Sequence, residues 1–491
     1  MGNNKKSDAG ELKRKTITAL LWKAFEKFGS QFIQLAVTII LARLLSPEDY
    51  GTVALTMVFA SLALVFIDYG FGHALIQKKD IGPLEINTTF FMSISLGIIL
   101  YIILFIAAPY ISIFYGDPII KHIVRILSLI LILGSVSAVQ NAILSRKLEY
   151  KKIFISNSLA TVISGATGII CALYNLGVWA LVIQQITLRI VAMFCFAVAI
   201  KYKPKLQFSK EYAKASLFFS WKILASQLLT TLYNNIRSLL IGKIYTTADL
   251  AYYNKGEQFP GIVSVCTSFS FQNVMFSAYS RVQTDYERIK HMMKKSLVAS
   301  SFVVCPAMLG LCAIAEPLII TVLGNNWIES VPYMQIICVA YSLTIPGSVS
   351  FQALNAIGRT DETLKFQVIV RCFATIMICG AVFINIYAIA FSQIIVNTFE
   401  VFLRAVPCKK YFNYGYREQI ADLLPSFFNS ALMSILVIMI WKQLKNSIIP
   451  VYISLFILII LAIIIYIGLA LLFKNKGLEY LKESLAAIFK R

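Results

Sequence analysis

Charged residues are scarce in this chain of 491 residues: 14% are Asp, Glu, Lys or Arg, whereas 58% are hydrophobic. A soluble chain of this length would form several domains and carry many more charges on their surfaces. The ten-residue segments of alternating hydrophobicity that mark a transmembrane β-barrel are also missing. The chain instead has long apolar runs, which cross a bilayer as helices because their backbone groups are all hydrogen-bonded internally. The sequence therefore predicts an all-α integral membrane protein.

The sequence also lacks the side-chain groupings that hold a metal ion or a nucleotide. It has three His, and its nine Cys form no CxxC motif and no Cys/His cluster. We therefore predict no metal site and no disulfide, and we assign the Cys side chains to helix packing. No Walker motif is present, so ATP is not expected to drive the protein. No catalytic constellation is visible, and we predict neither a cofactor nor an enzymatic activity.

The apolar runs divide into fourteen predicted membrane spans, numbered here in chain order. A helix needs about 20 residues to cross the hydrocarbon layer. Segments that contain Pro or Gly, such as SPEDYG and KYKPK, separate several of the spans. The predicted spans cover residues 18–42, 50–73, 87–108, 120–144, 153–173, 178–200, 215–242, 252–276, 296–315, 328–353, 364–384, 386–407, 424–441 and 449–473.

The distribution of Lys and Arg orients these spans. Of the 45 Lys and Arg, 32 lie in segments on the same side as the two termini, 5 lie in segments on the opposite side, and 8 lie within spans. Because cytoplasmic segments carry the excess of Lys and Arg, both termini are predicted to be cytoplasmic. The net charge of +21 is therefore a signal of membrane topology, and we do not expect nucleic-acid binding.

An internal repeat divides the first twelve spans into two halves. The turn LSPEDYG of the first hairpin matches YTTADLA at a shift of 200 residues, and NAILSRK (141–147) matches NAIGRTD (355–361) at a shift of 214. Two six-helix halves with the same orientation imply a pseudo-twofold axis along the membrane normal. Transporters commonly use that geometry, with the site between the halves.

The predicted domain organisation follows from this repeat. A cytoplasmic N-terminal segment (1–17) precedes the first six-helix bundle (18–200). A cytoplasmic linker (201–214) then leads to the second six-helix bundle (215–407). Spans 13 and 14 (408–473) and a cytoplasmic C-terminal tail (474–491) complete the chain.

Spans 1 and 7, which are equivalent in the repeat, each carry polar residues along one face. The stripe of span 1 consists of Lys23, Lys27, Gln31 and Gln34, with Glu26 beside it. The stripe of span 7 contains Gln227 and Asn234, with Arg237 adjoining it. Because charges inside a spanning helix are costly, the two stripes are predicted to face each other across a water-filled cavity.

Three motifs give the chain a family resemblance: LARLLSPEDYG in the first hairpin, DYGFGHALIQKKD at the end of span 2, and AILSRKLEYKK after span 4. In these motifs it resembles the Wzx-type polysaccharide flippases of the multidrug/oligosaccharidyl-lipid/polysaccharide exporter superfamily. Within that group it is most similar to the teichuronic-acid and colanic-acid exporters. The resemblance covers spans 1 to 12. It implies that spans 1, 2, 7 and 8 line a central cleft, which adds Asp68, Lys255 and Glu257 to the cleft.

The cationic residues of these spans outnumber the acidic ones, so the cavity is predicted to be net positive and to suit a pyrophosphate group. The predicted substrate-binding residues are Lys23, Lys27, Gln31, Gln34, Gln227, Asn234, Arg237 and Lys255. A plainer alternative for Lys23 and Lys27 is that they extend from the start of span 1 to the cytoplasmic headgroups. Arg371 and Glu400, at similar depth in spans 11 and 12, are predicted to pair with each other.

The resemblance implies a monomeric flippase that moves an undecaprenyl-pyrophosphate-linked oligosaccharide across the bacterial inner membrane by alternating access. Coupling to a proton or sodium gradient through Glu26, Asp68 or Glu257 is left open, as is association with a polysaccharide polymerase and chain-length proteins. Three alternatives remain: a multidrug or small-solute antiporter of the same fold, a lipid II flippase, and a polysaccharide polymerase or ligase. The last class usually has a large external loop, whereas the longest loop here has about twenty residues, too few for a domain of its own.

Overall fold

The computed structural model describes residues 18, 22–23, 25–26, 29–70, 72, 75, 81–200 and 204–480; for Phe219 and residues 268–274 it describes the backbone alone. All regular secondary structure among these residues is helical, which confirms the predicted all-α class. Lys27 and the N-terminal segment 1–17 lie outside the described residues, as does the end of the predicted C-terminal tail.

The helices of the first part of the chain begin at recognisable sequence signals. Pro stands at the first position of three of them, where its missing N–H costs nothing, and Asp117 and Ser209 accept hydrogen bonds from the backbone of the helices that they precede. The helices are α1 (Gly29–Leu44), α2 (Pro47–Gly70), α3 (Pro83–Tyr115), α4 (Pro118–Leu127), α5 (Leu129–Arg146), α6 (Tyr150–Leu173), α7 (Val178–Ile200), α8 (Lys210–Ile244) and α9 (Thr247–Ser280).

The second part of the chain follows the same pattern. Asp285 and Asn385 cap their helices, and Gly415 precedes a helix whose Glu418 bonds back to the Gly415 N–H. The helices are α10 (Tyr286–Ala313), α11 (Ala315–Val322), a 3-10 turn (Asn325–Trp327), α12 (Ser330–Ser342), α13 (Ile345–Ala356), α14 (Thr360–Ala381), α15 (Ile386–Phe412), α16 (Tyr416–Leu444) and α17 (Val451–Leu472).

Among the described residues, eleven helices or helix pairs are long and apolar enough to cross a membrane. They coincide with spans 2 to 6 and 9 to 14, so the chain is a multi-pass membrane protein. Span 1 is represented by the shorter apolar helix α1. Helices α8 and α9, at spans 7 and 8, are long but are not among the eleven. The total of fourteen spans remains a prediction.

The first hairpin of each half begins its second helix with the same pair of capping hydrogen bonds. At the start of α2, Asp49 accepts hydrogen bonds from the backbone N–H and the hydroxyl of Ser46, at 3.2 and 3.0 Å. At the start of α9, Asp249 accepts the same two bonds from Thr246, at 3.1 and 2.7 Å. These two turns are the ones that the sequence matched at a shift of 200 residues.

The fourth span of each half is interrupted. Span 4 is built from α4 and α5, which meet at Ser128, and span 10 is built from α12 and α13, which meet at Leu343–Thr344. Side chains compensate the backbone groups near the second break, because Asn397 donates to the Ala340 carbonyl at 2.8 Å and Arg404 donates to the Gly347 carbonyl at 3.1 Å.

The chain folds into two compact units, residues 1–251 and 252–491. The predicted division into two six-helix bundles, with the linker 201–214 between them, stays a prediction. Two hydrogen bonds attach this linker to α3: the Lys205 N–H donates to Asn87 at 2.9 Å, and the Ser209 N–H donates to Thr88 at 3.0 Å. The linker is thereby bound to the start of α3, and α8 remains with the first unit.

In the first unit a core of aliphatic side chains joins α1, α2, α4, α5 and α7; its fully buried members include Leu41, Ile67, Ile123, Leu127, Leu131 and Val182. Helix α2 also lies very close to α8 and to the start of α9. A Cβ added at Gly51 would lie 1.7 Å from the Thr247 carbonyl oxygen, and one at Gly242 would lie 2.7 Å from Leu55. Glycine at these positions therefore allows the backbones to meet.

In the second unit α16 and α17 pack against α10 through a cluster that includes Phe302, Val437 and Trp441. Tyr466 of α17 donates to the Phe302 carbonyl at 2.9 Å. At the end of this cluster that is predicted to be external, Glu316 accepts from Trp441 at 2.9 Å and pairs with Lys445 at 2.5 Å. Spans 13 and 14 are thus integral to this unit.

Candidate functional site

The polar stripe of span 1 is accessible where it is described. Gln31 and Gln34 are exposed on α1. Lys23 is also exposed, and its ammonium lies 5.5 Å from the ring centre of Tyr150 at the start of α6. This contact places Lys23 near the end of the bundle that is predicted to be cytoplasmic, as the headgroup alternative for this residue requires. Lys27 lies outside the described residues.

The stripe of span 7 runs along α8 in the first unit. Asn234 is exposed, and Gln227 and Arg237 are half-buried. The side-chain amide of the neighbouring Asn235 donates to the Thr231 carbonyl at 2.8 Å, which is a contact within the same helix. Helix α8 thus carries uncharged amides and a guanidinium. A helix surrounded by lipid rarely has so many polar groups.

Glu26, predicted as an ion-coupling residue, has a defined partner. The side-chain amide of Asn157 in α6 donates to its carboxylate, with 3.2 Å between Nδ2 and Oε1. Spans 1 and 5 are therefore joined by a polar contact between residues 131 positions apart. Such a contact stabilises a carboxylate that is half-buried in a membrane protein.

Asp68, the second ion-coupling candidate, lines an open cavity inside the first unit. The cavity has a volume of about 470 Å³ and lies among α2, α5, α6 and α7. We call it the bundle cavity; its lining includes Asp68, Tyr69, Ser137, Asn141, Ser145, Asn157, Arg189 and Phe196. Because Asn157 both lines this cavity and binds Glu26, the two acidic candidates of the first unit share one polar environment.

The position of the bundle cavity follows from its lining. Asp68 and Ser145 lie within two residues of the ends of α2 and α5, and Asn157 lies in the second turn of α6. These helix ends are the ones that the charge distribution predicts to be cytoplasmic. The cavity contains one acidic and one basic residue, Asp68 and Arg189, among neutral amides and hydroxyls, so it is polar without a large net charge.

The predicted residues of span 8 lie in the second unit. Lys255 is only 6% exposed, and its ammonium lies 3.3 Å from the Gln258 side-chain oxygen and 5.5 Å from the ring centre of Trp327. Glu257 accepts a 2.6 Å hydrogen bond from the Tyr341 hydroxyl in α12. Beside Tyr341 is a cavity of about 40 Å³, large enough for water; its polar lining consists of Ser264, Thr267, Ser300, Tyr341, Thr344 and Ser348.

Glu400 of α15 has a counterion in its own helix. Its carboxylate lies 2.5 Å from the guanidinium of Arg404, which is mostly buried and also binds the Gly347 carbonyl. Glu400 therefore has a counterion that the sequence analysis did not name, and its predicted pairing with Arg371 stays a prediction. The i,i+4 spacing of Glu400 and Arg404 was visible in the sequence and would have predicted this pair.

Sequence reasoning overlooked most of the bundle cavity. Asn141, Asn157 and Arg189 lie on three helices and converge only in the folded bundle. Asn141 is the first residue of the repeated NAILSRK motif, and that repetition was the one available signal. Among the described residues no group of three or more His, Cys, Asp or Glu is arranged to hold a metal ion.

Comparison with known proteins identifies the family. The family described as "Polysaccharide biosynthesis protein" matches residues 40–332, more than half of the chain. The chain belongs to this family. A similar protein is "Lipopolysaccharide biosynthesis protein WzxC" of Escherichia coli (strain K12), 24% identical over 430 residues, which cover 85% of this chain and 86% of that protein.

Two further relatives carry similar descriptions. "Succinoglycan biosynthesis transport protein ExoT" of Rhizobium meliloti (strain 1021) is 22% identical, with 74% of this chain and 73% of that protein covered. "Teichuronic acid biosynthesis protein TuaB" of Bacillus subtilis (strain 168) is 23% identical, with 69% and 71% covered. The resemblance to Wzx-type polysaccharide flippases that the motifs indicated is thereby confirmed.

Solved structures agree on the fold of this polysaccharide biosynthesis family member. A lipid II flippase MurJ in an inward closed conformation superposes with a TM-score of 0.71 at 16% identity, covering 93% of this chain and 99% of that one. An inward-facing multidrug resistance MATE family transporter superposes with a TM-score of 0.59 at 15% identity, covering 82% and 98%. At these identities the likeness establishes a shared transporter fold and nothing finer.

Proposed function

We propose that this protein is a flippase that moves a polyprenyl-pyrophosphate-linked oligosaccharide across the bacterial inner membrane by alternating access. One observation carries the proposal. In a family whose relatives are named for polysaccharide biosynthesis and transport, spans 1 and 7 of this chain carry polar stripes, and the long helices at spans 7 and 8 are not among the eleven apolar ones. Polar side chains are costly in a helix that faces lipid. They are favourable in a helix that faces a hydrophilic headgroup on its way across the membrane.

The substrate follows from the chemistry of those helices. Lys27 and Arg237 supply cationic groups that suit a pyrophosphate, and Gln31, Gln34, Gln227 and Asn234 supply amides that suit a sugar chain. The polyprenyl tail remains in the bilayer during transport. Both termini are cytoplasmic, so the headgroup is taken up on the side on which Lys and Arg are abundant.

Coupling to a proton or sodium gradient is part of the proposal. Glu26 with Asn157, Asp68 in the bundle cavity, and Glu257 with Tyr341 are the three acidic positions that could carry the ion. Glu26 and Glu257 accept hydrogen bonds from neutral groups, and Asp68 shares its cavity with amides, hydroxyls and Arg189, so a change in protonation or a bound cation would alter the local contacts. The protein then works without a nucleotide and without catalysing a covalent step.

The test uses cells in which the protein can be depleted. On depletion, the lipid-linked repeat unit should accumulate in the inner leaflet and the surface polysaccharide should disappear. Accumulation of repeat units in the outer leaflet would instead identify a polymerase or ligase. Accumulation of the lipid-linked peptidoglycan precursor would identify a lipid II flippase. Unchanged polysaccharide with reduced ethidium efflux would identify a multidrug transporter.

A further inference from the structure

Proline stands at nearly the same place in spans 3 and 9, which are equivalent in the internal repeat. Pro109 lies six residues before the end of α3, and Pro306 lies seven residues before the end of α10. A phenylalanine precedes each proline by four positions, Phe105 in α3 and Phe302 in α10. Because proline has no N–H, the carbonyl of that phenylalanine loses the donor that a regular helix would supply. Each helix is therefore weakened at one point near the end that is predicted to be external.

In both helices a side chain of another helix supplies the missing donor. The Nε of Arg125 in α4 donates to the Phe105 carbonyl at 3.4 Å, and the guanidinium lies 4.2 Å from the Phe105 ring centre. The Tyr466 hydroxyl of α17 donates to the Phe302 carbonyl at 2.9 Å, and the ring centres of these two residues are 5.1 Å apart. Replacement donors of this kind allow proline inside a spanning helix. Arg125 and Tyr466 thus each hold the carbonyl and the ring of one phenylalanine, and we call them the latches.

We propose that Pro109 and Pro306 are hinges at which the external ends of spans 3 and 9 bend during transport, and that the latches hold these hinges in the present arrangement. The inference rests on the alternating access of the proposed function and not on the identity of the substrate. Bending at a proline costs less than bending elsewhere, because one of the backbone hydrogen bonds that resist it is already missing. The helix end is then held by a single side-chain contact, which can open and close.

The segment beyond the first hinge is attached to a helix of the proposed headgroup site. The hydroxyl of Tyr115, the last residue of α3, donates to the Leu239 carbonyl of α8 at 3.4 Å. Since α8 carries the polar stripe of span 7, a movement of α8 around the headgroup would pull on the end of α3. The second hinge is controlled from span 14, because its latch Tyr466 belongs to α17. Spans 13 and 14 lie outside the two-half repeat, and this contact gives them a part in the transport cycle.

A fixed contact that fills the gap left by proline is the plain alternative. The two roles make different demands on the proline. A fixed contact is no longer needed when alanine restores the N–H, and the protein should work as before. A hinge is lost by the same change, because the helix end then has a continuous set of backbone hydrogen bonds. Replacing the proline and the latch, singly and together, therefore separates the two roles.

The experiment measures hydrogen–deuterium exchange, peptide by peptide, on the purified full-length protein in nanodiscs of phosphatidylethanolamine and phosphatidylglycerol. Exchange reports the opening of local structure. Tyr466→Phe should speed exchange of residues 303–313 about two- to tenfold, the effect of one lost hydrogen bond. Pro306→Ala should slow exchange in the same residues. In the Pro306→Ala background Tyr466→Phe should have no further effect, because the Phe302 carbonyl then has a backbone donor.

Controls accompany this measurement. Tyr452→Phe removes the hydroxyl of an exposed tyrosine on the same helix as Tyr466 and should leave exchange unchanged. Arg125→Gln with Pro109→Ala repeats the cycle in the first unit, where His122→Gln alters an exposed residue of the same helix as Arg125. This second cycle decides the question if the variants of the second unit do not fold. Export at equal protein levels should fall about two- to tenfold in both alanine variants, since bending must then break a backbone hydrogen bond.

The expected pattern is exchange that responds to each latch only when its proline is present. An equal response to Tyr466→Phe in both backgrounds, a response spread over the whole second unit, or unchanged exchange in Pro306→Ala would identify a fixed contact and overturn the hinges. Normal export by both alanine variants would overturn them as well. The exchange measurement needs no substrate. The expected exchange pattern together with no accumulation of lipid-linked repeat units on depletion would therefore overturn the proposed function alone.

Discussion

The side-chain amide of Asn157 donates a hydrogen bond to the carboxylate of Glu26, 3.2 Å away. This bond joins the helix that carries the polar stripe of span 1 to the wall of the bundle cavity. A carboxylate in a spanning helix is retained where it has a function or a partner, and here the partner is a neutral amide that does not neutralise it. The proposed coupling through Glu26 rests on this arrangement.

The first prediction concerns the coupling acids. If Glu26 carries the coupled ion, Glu26→Gln should abolish the increase in transport that an imposed proton or sodium gradient produces in proteoliposomes, yet retain headgroup binding. Asp68→Asn and Glu257→Gln are tested in the same way. Glu48→Gln, at an exposed position in the first turn of α2, is the matched control and should transport normally. Undiminished gradient stimulation in all three variants would remove carboxylate coupling from the mechanism.

A second prediction concerns charge in the polar stripes of spans 1 and 7. Lys27→Gln and Arg237→Gln should each weaken substrate affinity about ten- to a hundredfold, since a charge-assisted contact is worth roughly 1.5–3 kcal/mol. Lys27→Arg and Arg237→Lys should be milder because they keep the charge. Export is measured at equal protein levels, with Lys243→Gln on the same helix as the control. Normal export by both Gln variants would show that the pyrophosphate binds elsewhere.

The third prediction concerns the close approach of α2 to the start of α9. A methyl group at Gly51 would lie 1.7 Å from the Thr247 carbonyl oxygen, so Gly51→Ala must push these backbones apart. We expect a loss of stability on the order of 1–3 kcal/mol, measured as a lower midpoint of thermal unfolding, together with reduced transport.

The control for Gly51 is Gly380→Ala in α14, where an added Cβ meets nothing within 4 Å. There the better helix propensity of alanine should raise stability by up to about 1 kcal/mol. Equal unfolding midpoints for the two variants would mean that α2 and α9 can move apart without a loss of stability.

A fourth prediction concerns topology. Single cysteines at Lys147, Lys205 and Asp285 should react with a membrane-impermeant maleimide only from the cytoplasmic side, and one at Asn325 only from the exterior. The nine native cysteines all lie in or at the ends of predicted spans and give the background. External labelling at position 205 would contradict the count of spans and the two-half repeat together.

The fifth prediction concerns pH. Partial burial raises the pKa of Glu316, but hydrogen bonds from Lys445 and Trp441 outweigh it and hold the pKa below its ordinary value. The contact therefore stabilises the protein above the ordinary carboxyl pKa and is lost as the pH falls through the lowered one. At pH 7 Glu316→Gln should lower the melting temperature by about 1–3 °C. The difference from wild type should vanish on acidification; a constant difference would show that the charge is irrelevant.

Hydropathy was sufficient to predict an all-α membrane protein, because the bilayer requires every span to be apolar and to satisfy its own backbone groups. It placed spans 2 to 6 and 9 to 14 close to helices of the structure. It did not reveal the interruption at Ser128, because the apolar run continues through that position. At Thr344 the sequence does carry a signal, since Pro346 stands in the first turn of α13, but hydropathy alone does not register it. Near the second break, Asn397 donates a hydrogen bond to the Ala340 carbonyl, and such a contact from another helix cannot be read from the sequence.

The candidate site was predictable only in part. The polar stripes of spans 1 and 7 repeat every three or four residues. Each stripe is therefore visible in the sequence of a single helix. The bundle cavity draws Asp68, Asn141, Asn157 and Arg189 from four helices, and no single helix displays it. The burial of Lys255 beneath Trp327 depends on a turn more than 70 residues later in the chain.

The interruptions of spans 4 and 10 also bear on the history of the chain. Shifted by the 214 residues that align NAILSRK with NAIGRTD, the junction at Ser128 falls on Ser342, the last residue of α12. The two junctions thus lie within two residues of each other in the repeat, and two unrelated accidents would seldom agree so closely. We infer that the ancestral half-length polypeptide already possessed this broken helix before its gene was duplicated and fused. Both descendants have kept it although their sequences around the junction have diverged.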